Sequence, residues 1–131
     1  MLAYRDAAAT AATLPSARLT VGETARVTLA QTGSVTYPVH PEKPAAADSF
    51  GGLLQLVVPA RGGYRVVLGS RAWIDLVAPG GRAVDSVAHS MGPPCTGIRK
   101  MVDFTLEPGT YTVQISGNAE PATSVLVIRN P

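Results

Sequence analysis

From Pro15 onward, apolar and polar residues alternate with a period of two over short stretches broken by Gly and Pro. Side chains on a strand point to opposite faces in turn, so this alternation marks strands with one buried face. It predicts strands over 18–21, 25–30 and 34–37, and then over 53–58, 64–68, 73–77 and 82–88. Further strands are predicted over 99–106, 111–115 and 125–129. Pro38 and Pro41 demote the third of these, because each removes a ladder donor. Gly62-Gly63, Pro79-Gly80-Gly81 and Glu107-Pro108-Gly109-Thr110 supply turns between strands. No helical window exceeds two turns. About nine or ten short strands joined by Gly/Pro turns predict an all-β antiparallel sandwich or barrel. The expected core is Tyr64, Val66, Leu68, Ile74, Leu76, Phe104, Tyr111, Val113 and Ile115, with either Val125 and Val127 or Leu126 and Ile128.

Residues 1–16 are Ala/Thr-rich and show no apolar stripe. They are expected to form a flexible N-terminal arm ahead of one domain over 17–131. They also lack the basic and apolar regions of a signal peptide, so a secreted form would be the mature one. At 131 residues, one domain buries roughly two-thirds of its unfolded surface and needs no covalent staple. Aromatics amount to only 5% of the chain, so the core rests on Val, Leu, Ile and Ala.

Charged residues make up 15% and the net charge is +2. The basic residues are scattered, with Arg99-Lys100 the only adjacent pair, which argues against nucleic acid as a partner. No stretch approaches the ~20 apolar residues of a membrane-spanning helix. The thin charge coat leaves a protein or glycan partner, or an oligomer, as the expected associations.

Soft donor atoms cluster in one place. His89, Met91, Cys95 and Met101 fall in the Gly/Pro-rich run from 89 to 101, and His40 is the other histidine. Imidazole, thioether and thiolate together suit Cu(I), so His89, Met91, Cys95 and His40 form a candidate copper site. Two histidines and one cysteine are too few for a zinc signature. The duller alternative makes Cys95 a buried small hydrophobe and the methionines gap fillers. A third places Arg99-Lys100 close enough to Cys95 to favour a reactive thiolate. A single cysteine forms no internal disulfide.

Two other patterns bear on chemistry. Ala88-His89-Ser90-Met91-Gly92 matches the letters of a nucleophile elbow. The elbow needs a helix after the serine and a later histidine; Pro93-Pro94 follows, and no histidine lies beyond His89. The carboxylates Asp75, Asp85 and Asp103 fall in strands and Asp48 in a loop, where each is expected to face solvent. Trp73 and Asp75 share a predicted face, opposite Ile74 and Leu76, and form a candidate sugar-stacking platform. A non-catalytic binding module is therefore expected.

Three segments resemble a known family. They are Val58-Pro59-Ala60-Arg61-Gly62-Gly63-Tyr64-Arg65-Val66, Trp73-Ile74-Asp75-Leu76-Val77, and Leu106-Glu107-Pro108-Gly109-Thr110-Tyr111-Thr112-Val113. Together they resemble the bacterial pre-peptidase C-terminal domains over residues 50–130. That resemblance implies a jelly-roll sandwich in a secreted or periplasmic setting, accessory to a hydrolase. No hydrolase sequence lies within these 131 residues, and the run from 89 to 101 is not part of that pattern. The His89-x-Met91 pair also resembles half of the ligand motif of periplasmic copper chaperones; their earlier ligand block is missing.

Overall fold

The computed structural model describes residues 4–8, 17–39, 48–90 and 99–130, with 4–8 and 89–90 described by backbone path alone. Two six-stranded sheets face each other. The first contains β1 (Tyr4–Ala8), β3 (Thr24–Thr28), β12 (Ala122–Arg129), β6 (Gly62–Leu68), β10 (Lys100–Leu106) and β9 (Ala88–Ser90), in that spatial order. The second runs β2 (Arg18–Leu19), β5 (Phe50–Val58), β11 (Gly109–Asn118), β7 (Trp73–Val77) and β8 (Ala83–Val84), with β4 (Ala30–Gln31) also paired to β5.

Eight strands carry the architecture: β3, β5, β6, β7, β8, β10, β11 and β12. Counted from one to eight along the chain, the first sheet holds them as 1-8-3-6 and the second as 2-7-4-5. This is the interleaved order of a jelly roll, in which the chain crosses between sheets and the first and last strands pair. The all-β sandwich expected from the sequence is what the chain adopts.

Alternation decides what is inside. Tyr64, Val66, Leu68, Ile74, Leu76, Phe104, Tyr111, Val113 and Ile115 are all buried, as are Val125 and Val127 from β12. Leu126 and Ile128 turn to the other face and remain half-buried. Leu54, Leu56 and Val58 of β5 complete the inner layer.

Two buried tyrosines tie matching corners. The Tyr64 hydroxyl donates to the Ala60 carbonyl at 2.6 Å, and the Tyr111 hydroxyl donates to the Glu107 carbonyl at 2.8 Å. Each partner lies four residues upstream, in the turn that enters the strand. The Tyr111 oxygen also accepts from the Glu107 N–H at 3.0 Å. These bonds satisfy turn groups at the edge of the core, where an unpaired polar atom is costly. Tyr111→Phe is expected to cost about 1–2 kcal/mol in chemical denaturation, because the turn loses both bonds. The Arg61–Glu107 ion pair (3.1 Å) links the same two turns but is exposed on both sides. Glu107→Gln should change stability by less than about 0.5 kcal/mol.

Three segments depart from the sequence pattern. Tyr4–Ala8, within the stretch expected to be a loose arm, runs parallel to β3 as an edge strand; the remainder of that arm lies outside the described residues. The strand expected over 34–37 is absent. Thr32–Ser34 forms a single 3₁₀ turn and residues 35–39 then run as a strap. The strand expected over 82–88 is split. β8 pairs with β7 in the second sheet and β9 with β10 in the first, so the chain changes sheets between them.

On the outer face of the first sheet, Arg65 forks onto Asp103 with bonds of 2.7 and 3.1 Å. The Arg65 hydrogen bond, aided by its charge, holds the Asp103 carboxyl below its ordinary value. The folded state therefore binds this proton less readily than the unfolded chain does. The pair's contribution is present above the ordinary carboxylate range and is lost as pH falls through the folded value. Asp103→Asn should flatten the acid limb of the stability profile while changing neutral-pH stability by under about 1 kcal/mol, since the pair is partly exposed.

Candidate binding pocket beside the seventh strand

Among the described residues, β7 has a full neighbour on one side only. Its Thr112–Ser116 partners in β11 run its whole length, whereas β8 reaches only Leu76 and Val77. The Gly80-Gly81 turn returns the chain along β7, and the Ala78 N–H bonds the Arg82 carbonyl at 2.7 Å. Strand alternation then aims the Ile74 backbone groups at the same side. Beyond Val84 the chain leaves β7 for the other sheet, where the Val87 N–H bonds the Asp103 carbonyl at 2.8 Å. A gap opens where the departing strand would otherwise have continued.

The gap is a pocket of about 320 Å³ lined by Trp73, Ile74, Asp75, Ala83, Val84, Asp85, Ser86 and Phe104. Ile74 and Phe104 are core residues and form an apolar base. Trp73 and Asp75 belong to the outer face of the second sheet, opposite Ser116 and Gln114 in register. The Trp73 indole N–H donates to Asp75 Oδ1 at 3.2 Å, which fixes ring and carboxylate together. Lys100 Nζ sits 4.4 Å from the centroid of the indole ring and donates to the Ala72 carbonyl at 3.0 Å.

A strap, residues 35–39, is tied to β11 beside Asp75. Leu53, Gln114 and Asp75 form one row across β5, β11 and β7. Gln114 is buried and brackets Val39, accepting from its N–H and donating to its carbonyl, both at 3.0 Å. The Tyr37 hydroxyl donates to the Ile115 carbonyl at 2.7 Å. Side-chain bonds thus replace the ladder bonds that Pro38 denies to this segment. Burial, reinforced by the negative charge of Asp75, pushes the Tyr37 hydroxyl up to about 12. The folded state holds this proton more tightly than the unfolded chain does. Stability from Tyr37 is therefore complete below pH ~10 and declines as pH rises toward ~12. Tyr37→Phe should remove that alkaline decline, read as denaturation midpoints between neutral and strongly alkaline pH.

Of the residues singled out from the sequence, Trp73 and Asp75 meet in this pocket. His89 is the middle residue of the edge strand β9, opposite Val102 in register. His40, Met91 and Cys95 lie outside the described residues. Among the described residues no group of three or more His, Cys, Asp and Glu converges as a metal site. Nor, among them, is any helix long and apolar enough to cross a membrane. Sequence reasoning missed the parts played by Asp85, Ser86, Tyr37 and Gln114. For the first two, the signal was a glycine-pair turn followed by only two apolar residues before Asp-Ser, too short a run for a full return strand. Fold and pocket together define the class: a jelly-roll sandwich with a small mixed-polarity cleft at a sheet edge. No protein-family model and no curated protein sequence matches the chain.

Proposed function

We propose that the chain is a non-catalytic binding module whose β7 pocket takes a small carbohydrate, one sugar unit deep. The observation that carries this reading is the meeting of an indole with two carboxylates and a hydroxyl in one concavity: Trp73, Asp75, Asp85 and Ser86. Aromatic rings cover the apolar face of a sugar, and carboxylates and hydroxyls accept or exchange its hydroxyl hydrogen bonds. The volume, about 320 Å³, lies at the small end of the ~300–1,000 Å³ common to ligand sites. A periplasmic or secreted setting accompanies the proposal. Monosaccharide titrations followed by Trp73 emission test it, because Trp73 is the sole tryptophan. Saturable quenching or shift that Asp75→Asn weakens supports the reading, and flat emission across a sugar panel at millimolar concentration rejects it.

A soft-metal site in the run from 89 to 101 is a second reading. It rests on the sequence clustering of His89, Met91 and Cys95 and on the position of His89 at the sheet rim, in a strand of three residues. Calorimetric Cu(I) titration of the full chain, alongside His89→Ala and Cys95→Ala, distinguishes it. Absence of binding tighter than about micromolar disposes of it.

A further inference from the structure

We infer that the strap is a latch. It opens as one unit while the sandwich stays folded, and it then uncovers a seat for an extended, tyrosine-bearing segment on the outer face of the second sheet. This does not rest on the carbohydrate reading.

The seat is built from the sheet. Gln114 is 1% exposed, and both ends of its side-chain amide bond the backbone of one strap residue, Val39. That pairing copies the two-way exchange between residues of neighbouring strands, so it reads backbone and not side chain. At Gly51 the sheet leaves a notch that the Tyr37 hydroxyl enters; a Cβ there would collide with that hydroxyl and with the Ile115 carbonyl. The carbonyl is the acceptor for the hydroxyl, at 2.7 Å. A buried amide bracket and a glycine notch ending in a carbonyl together fit an extended backbone with a tyrosine two residues before the bracketed one.

The strap can leave this seat without unpacking the core. Residues 35–39 belong to no ladder, and none of them joins the inner cluster that both sheets share. Opening exposes the side chains of Val35, Tyr37 and Val39, while Thr36 and Pro38 are already exposed. A separate pin holds the point where the chain leaves β4 and enters β5. There the Thr32 N–H bonds the Ser49 carbonyl at 2.8 Å, and Ser49 Oγ donates to Thr32 Oγ1 at 2.9 Å. A segment tied by a few bonds outside the main core opens at lower free energy than the whole molecule.

Native-state hydrogen exchange of the full chain, followed by NMR, tests the latch. The Val39 N–H is expected to be roughly a hundredfold less protected than that of Val113 in β11, and low denaturant should barely change it. Equal protection of the two, with the same denaturant dependence, overturns the inference, because strap and sandwich then open together. A second arm tests the seat. Tyr37→Ala releases the strap, and the blocked peptide Ser-Val-Thr-Tyr-Pro-Val, the sequence of residues 34–39, is added in trans. It is expected to shift the Gln114 side-chain amide signals of this variant at about 1 mM, and to bind the unaltered chain at least about tenfold more weakly, since the tethered strap competes. Alanine in place of the peptide's tyrosine should abolish the shift. If Tyr37→Ala does not fold, Tyr37→Phe takes its place in the titration. Signals that stay unmoved in the folded variant, or that move equally with the alanine peptide, overturn the seat.

Discussion

Gly51→Ala is expected to destabilise the protein by about 2–4 kcal/mol, a large effect for one added methyl group. Gly51 lies in β5 opposite Ala30, and a Cβ there would collide with the Ile115 carbonyl oxygen and the Tyr37 hydroxyl. Those atoms are the two ends of the bond that ties the strap to β11. The carbonyl belongs to a central strand and has little room to move, so the strap must yield. Overpacking and the loss of a partly buried hydrogen bond then act together. Denaturant midpoints would show the loss. In a Tyr37→Phe background the same substitution should cost less by about 1 kcal/mol, since one of the two clashing atoms is gone. The phenol absorbance should also titrate nearer ~10 than the folded value of about 12 once the strap is released. An unchanged midpoint would show that the strap does not close on Gly51.

Phe104→Ala should cost about 3–5 kcal/mol, the range for emptying an aromatic site in a packed core. Phe104 is 2% exposed, sits opposite Tyr64 in register, and forms part of the pocket base. Its removal leaves a void continuous with the pocket, so it erodes both the core and the proposed ligand site. Phe104→Leu separates the two effects: it keeps most of the volume, should cost about 1.5 kcal/mol or less, and still alters the pocket base. Loss of sugar binding in that folded variant would assign the ring a direct part in the site. A cost below about 1 kcal/mol for the alanine variant would mean that the ring is not packed as described.

Much of the sandwich was readable in the chain because the period of an exposed-face strand is a local property. Phe104 and Val113 announce an inner face by alternating with polar neighbours, whatever strand lies beside them. The strap was misread for the converse reason. Ser34-Val35-Thr36-Tyr37 alternates as a strand does, yet Ser34 and Val35 bond back to Gln31 and Thr32, and the long-range bonds of the strap, from Tyr37 and Val39, go to Ile115 and Gln114, more than seventy residues away. The split of 82–88 falls at Asp85-Ser86, between the apolar pairs Ala83-Val84 and Val87-Ala88, and local pattern does not say that the second pair joins the other sheet. Trp73 and Asp75 were recognisable as neighbours on one face. Asp85 and Ser86 were not recognisable as their companions, since their place opposite β7 depends on where β8 stops pairing.

Periodicity, turn residues and composition alone determined an all-β chain, its approximate strands, the membership of its core, and a shared face for Trp73 and Asp75. Tertiary structure alone decided the jelly-roll order, the sheet change after Val84, the clamp of Tyr37 and Gln114, and the pocket. The reason is physical. Which face a side chain occupies follows from its immediate neighbours along the strand, whereas a gap between strands depends on the relative lengths of elements that meet only after the chain has folded.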